Sequence, residues 1–357
     1  MSHRSVYFSG YTIGTDAYDE VVKVCSLYGR RILLIGGKKA LQAAQKLLLS
    51  AISGSSLKIV DTLPFSGECT ETEVEMCCKR ARELNVDMIF GMGGGKALDT
   101  AKCTAQGCGL PVFTFPTIAS TCAASTALSV VYKEDGNFSH FAFFERPAQH
   151  CFIHLQVIAD APARYLRAGM GDTIGKFFEC HFAARGDCLT HSSALGREIS
   201  NMCYQPLLDY GVQALSDCQA HLASEALEQA VLANIISTGL VSVLVLDEYN
   251  CAIAHSVYYG LILLPGFEER YLHGDVVAYG VLVQLAVDND LERLHELRHF
   301  MNQLEIPVSL AQMQIPCRRD VLQPVLTETV TGPDMEHIPY PVTEDMIFEA
   351  MQLIETI

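Results

Sequence analysis

Basic charge is scarce in this chain. Its 357 residues carry 25 Lys and Arg against 41 Asp and Glu, a net charge of −16, which leaves no basic footprint for a nucleic-acid partner. Cysteines number 14, yet no two are spaced C-x-x-C and none shows the spacing of a zinc module. Cys77 and Cys78 are adjacent, a poor start for two regular disulfides. The opening residues, Met1-Ser-His-Arg-Ser-Val-Tyr7, hold no long apolar core. No targeting segment is read there, and the thiols are expected to be reduced in a cytoplasmic protein. The most apolar run, Ile235 to Leu246, falls short of the about 20 residues that cross a bilayer. It reads as a buried helix, and no membrane partner is expected.

What is present is buried surface. Half of the residues are hydrophobic and only 18 % are charged, the composition of a globular chain of roughly two domains. Residues 31–35 form an apolar run ending at Gly36-Gly37, a strand, and the helix formers from Lys39 to Ser50 follow it. Leu57 to Asp61, Asp87 to Gly91 and Pro111 to Phe115 read as further strands. Thr70 to Leu84 reads as a helix between two of them, with Thr70 and Glu73 as a capping box. This alternation predicts a parallel, doubly wound sheet. Ser129–Tyr132 and Phe138–Phe143 flank Asp135-Gly136, a hairpin signal, and Phe152–Ile158 reads as one more strand. After about Pro162 helical windows dominate. The expected division is an α/β nucleotide-binding domain over residues 1–160 and an all-helical domain over residues 161–357.

Three groups of residues could carry chemistry. The first is the turn Gly93-Gly94-Gly95-Lys96 after the third apolar strand. Glycine allows close approach of a ligand to the backbone, and a helix starting there directs free N–H groups and a positive dipole end at an anion. The turn matches neither a Walker A loop nor the G-x-G-x-x-G fingerprint, and by itself it fits a tight strand–helix connection equally well. The second is Phe115-Pro-Thr-Ile-Ala-Ser-Thr-Cys-Ala-Ala-Ser-Thr-Ala-Leu-Ser129, small hydroxyl residues at the edge where open α/β sheets bind ligands; it could also be a loop capping its own backbone. The third is Gly169-Met-Gly-Asp172, Ala252-Ile-Ala-His255 and Leu272-His273-Gly274. Separately these are an N-cap aspartate and two core histidines. Together, one carboxylate and two imidazoles make a divalent-metal site with an open position.

Taken in order along the chain, these stretches resemble the glycerol dehydrogenase branch of the iron-containing (group III) alcohol dehydrogenases. Gly91-Met-Gly-Gly-Gly-Lys-Ala-Leu-Asp-Thr-Ala-Lys102 carries the match, followed by Pro116-Thr-Ile-Ala-Ser-Thr121, Ala168-Gly-Met-Gly-Asp172, Ala254-His255 and His273-Gly274. The resemblance implies a dehydroquinate synthase-like fold, a Rossmann-like α/β domain followed by a helical one, with the active site in the cleft between them. It implies Asp172, His255 and His273 as metal ligands, for zinc in this branch and iron in relatives. It places Gly93, Gly94, Gly95 and Lys96 at the pyrophosphate of NAD or NADP, and Asp99, Thr117, Ser120, Leu128 and Tyr132 near the dinucleotide. The metal then lowers the pKa of a substrate hydroxyl and the nicotinamide carries the hydride. Relatives of this kind are homo-oligomers, and the partner is otherwise a small-molecule substrate.

Three departures shape the expectation. Where glycerol dehydrogenases place an aspartate against the substrate hydroxyls, this chain has Cys122. A carboxylate there would favour a polyol and repel an acid, so Cys122 shifts the expectation to a 2-hydroxy or 2-oxo acid. The sequence is similar here, and again at His337-Ile-Pro-Tyr-Pro-Val342, to the hydroxycarboxylate dehydrogenases. Glycerol or a 1,2-diol is the alternative substrate; a dehydroquinate synthase-like lyase and a non-catalytic binding protein are the alternatives of other classes. Tyr258 stands where many relatives have a further histidine. Finally, the first Rossmann-like strand ends in Gly36-Gly37-Lys38-Lys39, without the aspartate that binds the adenine ribose in NAD-preferring relatives. Gly37 and Lys38 therefore suit a 2′-phosphate, and NADPH is expected to be accepted.

Overall fold

The computed structural model describes residues 5–357. They divide into two compact units: residues up to Ala163 together with Ser216–Val231, and Arg164–Leu215 together with Leu232–Ile357. This differs from a single boundary at 160/161 in that Ser216–Val231 groups with the first unit.

The first unit is built on eight strands: β1 Gly10–Gly14, β2 Arg31–Gly37, β3 Lys58–Phe65, β4 Met88–Gly93, β5 Val112–Pro116, β6 Leu128–Tyr132, β7 Phe138–Phe143 and β8 His150–His154. Six of them form one sheet in the order β1-β8-β5-β4-β2-β3, every pair parallel. β4 and β5 are buried along their whole length, as expected of strands covered on both faces. Alternation along β2 sends Ile32 and Leu34 to one face, under Ala44 and Leu48 of the helix Lys38–Ala51. Leu33 and Ile35 go to the other face, under Cys77 and Ala81 of Glu71–Glu83 and Ala101 and Ala105 of Gly95–Cys108. β6 and β7 form the separate antiparallel hairpin.

Several expectations need correction. β1 was not read in the sequence; it is a five-residue edge strand containing two glycines. The strand expected at 152–158 is the strand His150–His154 followed at once by the helix Leu155–Ala159, since a continuous apolar run fits either element. The capping box is half made. Thr70 accepts the Glu73 N–H at 3.2 Å, but the Glu73 carboxylate takes the Ser66 N–H. The apolar run 235–246 overlaps a longer helical run, Glu225–Leu244, and outlasts it by Val245 and Leu246; that helical run is long and apolar enough to cross a membrane, and 61 % of its most apolar window is buried inside the protein, as in a core helix.

The second unit is helical. Its centre is the helix His273–Val287, in which every residue from Gly274 to Leu285 is buried, the signature of a helix packed on all sides. Glycines set its approach to its neighbours. A Cβ on Gly274 would stand 1.8 Å from the carbonyl oxygen of Ala168, and one on Gly171 would stand 2.2 Å from the carbonyl oxygen of Gly274. These two positions bring it against the helix Arg164–Ala183. On another side, a Cβ on Gly280 would stand 2.3 Å from the Ala254 carbonyl oxygen, in the helix Ile253–Leu261.

Candidate functional site

Asp172, His255 and His273 come from those three helices. Each offers a ligand atom, and the atoms all lie within 4.8 Å of one another. Asp172 Oδ1 is 3.7 Å from His255 Nε2 and 3.4 Å from His273 Nε2. Burial works against ionisation of Asp172, but the two imidazoles beside it outweigh burial and hold its carboxyl well below the usual range. It therefore stays a carboxylate, as a ligand must.

The surroundings fix each donor. Glu179 is fully buried; its Oε2 lies 2.5 Å from His255 Nδ1, and its Oε1 accepts the N–H groups of Ala252 and His255 at 2.7 and 2.8 Å. One carboxylate thus caps the start of the helix Ile253–Leu261, satisfying two otherwise free N–H groups, and holds the proton on Nδ1 so that Nε2 is left as the donor. Burial opposes the charged form of His255, while Cys251, Glu179 and Asp172 favour it and raise its pKa well above the ordinary value. His273 opens its helix, and the turn it stands on is clamped by Asp275, which accepts from the Arg167 guanidinium at 3.0 and 2.8 Å. Tyr258 packs its ring edge-on against His273, centroids 4.3 Å apart, and its hydroxyl donates to Glu268 at 3.4 Å.

Sequence reasoning missed Glu179 and Asp334. A signal for Glu179 existed: it stands seven residues after Asp172, two helical turns on the same face. Asp334 gives none. Burial pushes its carboxyl up to about 6, with Glu179 adding to the shift and His255 and Lys176 opposing it. Its buried Oδ2 has no hydrogen-bond partner among the described residues.

In the first unit, β2, β4 and β5 end side by side, with Gly36 opposite Met92 and Gly93 opposite Pro116. The chain leaves β2 toward β3 on one side and continues from β4 toward β5 on the other. The gap between β2 and β4 is therefore a topological switch point, where open sheets take ligands. Both helices that start there, Lys38–Ala51 after Gly37 and Gly95–Cys108 after Gly94, lack a side-chain cap. The helices that follow Thr70, Thr190 and Thr343 are each capped by that threonine. Two uncapped, glycine-led N-termini at one edge fit the phosphates of a dinucleotide.

The other expected residues lie as follows. Thr117 donates its N–H to the Gly93 carbonyl at 3.1 Å. A Cβ on Gly94 would meet Ile118 at 2.6 Å and one on Gly95 would meet Thr121 at 3.3 Å, so the glycine turn and the Thr117–Thr121 loop are in contact, with Ser120 half-buried within that loop. Lys96 pairs with Glu68 at 2.6 Å and lies over the Tyr132 ring at 4.7 Å. Asp99 is buried; it pairs with Lys102 at 3.0 Å and accepts the Val130 N–H. Leu128, half-buried, accepts Lys102 through its carbonyl. Cys122 is half-buried, its carbonyl accepting the Ser125 N–H at 3.0 Å. Lys38 is exposed, and a Cβ on Gly37 would meet nothing within 4 Å.

The iron-containing alcohol dehydrogenase family model matches residues 9–150. A glycerol dehydrogenase of Escherichia coli is 30 % identical over 348 residues, 96 % of this chain and 93 % of its own. Hydroxycarboxylate dehydrogenase A of the same species is 33 % identical over 329 residues, 91 % and 90 % of the two chains. The crystal structure of glycerol dehydrogenase from Schizosaccharomyces pombe superposes with a TM-score of 0.90 at 26 % identity, covering 100 % of this chain and 91 % of that one. Similarity of this extent, along the whole length, makes the chain a member of the iron-containing alcohol dehydrogenase family, a glycerol dehydrogenase-like, NAD-linked alcohol oxidoreductase that works with a divalent metal.

Proposed function

We propose that this enzyme interconverts a small 2-hydroxy acid and the corresponding 2-oxo acid, with zinc held by Asp172, His255 and His273 and with NADPH accepted as the reductant. Cys122 carries the substrate reading. The loop that bears it also bears Thr121, against which Gly95 of the glycine turn is packed. A thiol side chain there leaves room for a substrate carboxylate, where an aspartate would repel it. Similarity to a hydroxycarboxylate dehydrogenase supports the same reading.

The chain's own residues divide the work. Asp172, ionised, and the Nε2 atoms of His255 and His273 fit a small divalent cation, which when bound polarises the substrate oxygen. Glu179 keeps His255 in the tautomer that can ligate, and the Arg167–Asp275 pair keeps His273 aimed at Asp172. In the first unit, the free N–H groups after Gly94 receive the pyrophosphate and Lys96 adds a positive charge beside them.

The test is a screen at 340 nm of the zinc- and iron-loaded protein with both nicotinamides, offering 2-oxoglutarate, oxaloacetate, 2-oxobutyrate, glycerol and 1,2-diols. A higher kcat/KM on a 2-oxo acid than on any polyol is expected, and Cys122→Asp should reverse that order. Faster turnover of glycerol by the unaltered protein defeats the acid reading.

Cofactor choice has its own test at Gly37. Its φ of −65° suits any residue and the space around it is open, so Gly37→Asp adds a ribose acceptor without strain. A hydrogen bond to a charged group is worth about 1.5–3 kcal/mol, so kcat/KM for NADH over NADPH should rise by about tenfold or more. A kcat/KM for NADPH already tenfold below that for NADH in the unaltered protein would contradict acceptance of the phosphate.

A further inference from the structure

The helical run Glu225–Leu244 does not wind evenly. Between its α-helical parts, Glu225–Leu232 and Thr238–Leu244, one wide π turn spans Ala233–Ser237. The Thr238 N–H closes that turn on the Ala233 carbonyl, five residues back. Such turns are rare, and the extra residue re-phases the faces on either side by about 100°. Asn234 stands in this turn, fully buried alongside Ala233, Ile235 and Ile236. An amide in such a place is costly unless it is bonded. Its Oδ1 accepts the Thr173 hydroxyl at 3.1 Å, and its Nδ2 donates to the Leu166 carbonyl at 3.3 Å. Thr238 follows one turn on, its hydroxyl 3.2 Å from Thr173 Oγ1 and 3.0 Å from the Ala233 carbonyl oxygen.

We propose that Asn234 is a positioning residue for the metal centre, holding Asp172 at its ligating rotation through the Thr173 hydroxyl. Leu166 and Thr173 are seven residues apart on the helix Arg164–Ala183, two turns along one face. One amide therefore ties two turns of the helix that carries Asp172. Thr173 directly follows that ligand, and successive helical residues are turned by about 100°. Three consecutive residues thus face three neighbours: Gly171 meets the Gly274 carbonyl, Asp172 meets both imidazoles, and Thr173 meets Asn234. All of these residues lie in the second unit.

The division of labour is physical. Contact between glycines sets how closely two helices approach, but such a contact has no direction and leaves a helix free to turn about its axis. A hydrogen bond on a second side is directional and removes that freedom. Asp172 needs it, because its carboxylate must meet donors carried by two other helices, and a site of this kind tolerates only about 0.5 Å of displacement. This inference rests on the reading of Asp172, His255 and His273 as the metal ligands.

The experiment titrates the full-length, metal-free protein with Zn²⁺ against a chromophoric chelator, and with Co²⁺, whose visible bands report ligand geometry. Thr173→Val exchanges the hydroxyl for a methyl of similar shape and leaves Asp172 in place. The Kd for Zn²⁺ is expected to rise about tenfold, the lower end of what losing such a support costs, and the Co²⁺ bands to shift. Asn234→Leu should give the same rise, and both changes together no more than either alone, since they remove one shared contact. Thr173→Ser keeps the hydroxyl and should restore the affinity and the bands. Thermal melting by circular dichroism accompanies each variant. A bond that served stability alone would lower Tm while the folded protein kept the parental Kd and bands, and that result overturns the proposal. So does a folded Thr173→Ser protein as impaired as Thr173→Val. Parent protein that binds neither ion overturns the ligand assignment and this inference with it, whereas variants that bind as the parent does overturn the inference alone.

Discussion

Replacing His255 by alanine is expected to abolish both divalent-metal binding and dehydrogenase turnover. The metal's polarisation of the reacting oxygen is worth several kcal/mol, and at 1.36 kcal/mol per decade the rate should fall about 10³-fold or more. Inductively coupled plasma mass spectrometry of the dialysed protein, with circular dichroism to confirm folding, reads the result. Wild-type turnover by the folded variant would show that His255 is not a ligand. Because the substitution leaves the buried Glu179 without its imidazole, Glu179→Gln is the finer companion. To keep the Ala252 and His255 N–H groups satisfied, the glutamine oxygen must take the place of Oε1. The amide NH₂ then faces His255 Nδ1 and donates to it, which puts the imidazole proton on Nε2, the atom that must bind the metal. Metal affinity should drop about 10–100-fold, the usual cost of losing such a partner, while the helix start stays intact. An unchanged affinity would mean that Glu179 only caps the helix.

The second large effect is expected at Gly274. A Cβ there would lie 1.8 Å from the Ala168 carbonyl oxygen and 2.9 Å from the Asp172 nitrogen, and backbone atoms cannot turn aside as a side chain can. Gly274→Ala must separate the helices Arg164–Ala183 and His273–Val287 at the level of the metal ligands. Overpacking costs about 1–3 kcal/mol where side chains can adjust; against backbone the cost should reach about 3 kcal/mol, on the order of 10 °C in Tm. Metal binding should be lost as well, since His273 is the adjacent residue. Gly37→Ala, entering open space, is the control and should move Tm by no more than about 1 °C. A Gly274→Ala protein with parental Tm and metal content would refute the close contact.

These two glycines show what the sequence made legible. Gly274 was noticed because it follows His273, and the ligand triad because carboxylate and imidazole side chains carry their chemistry in their identity. The closeness of the helices was not legible. Gly171, Gly274 and Gly280 act through distances to carbonyl oxygens on other elements, and Glu179 looked like any carboxylate on a helix. The sheet was read from strands buried on both faces, such as residues 31–35, where the apolar run is short and is ended by Gly36-Gly37. It failed at β1, whose Tyr11 is 46 % exposed and whose glycines break any apolar pattern. It failed again after Phe152, where strand and helix share one apolar run. The glycine turn, ambiguous in isolation, gained its meaning from the switch point between β2 and β4, which depends on strand order. Membership of the dehydrogenase family sets aside the lyase and the non-catalytic alternatives.

The Glu179 carboxylate has a consequence for how the metal arrives. It orients His255 and caps the following helix entirely through protein hydrogen bonds, so this side of the cage is assembled before any ion enters. With Asp172, His255 and His273 as the proposed ligands, a divalent cation is expected to load onto donors already aimed, so that metal exchange and folding would be separate equilibria.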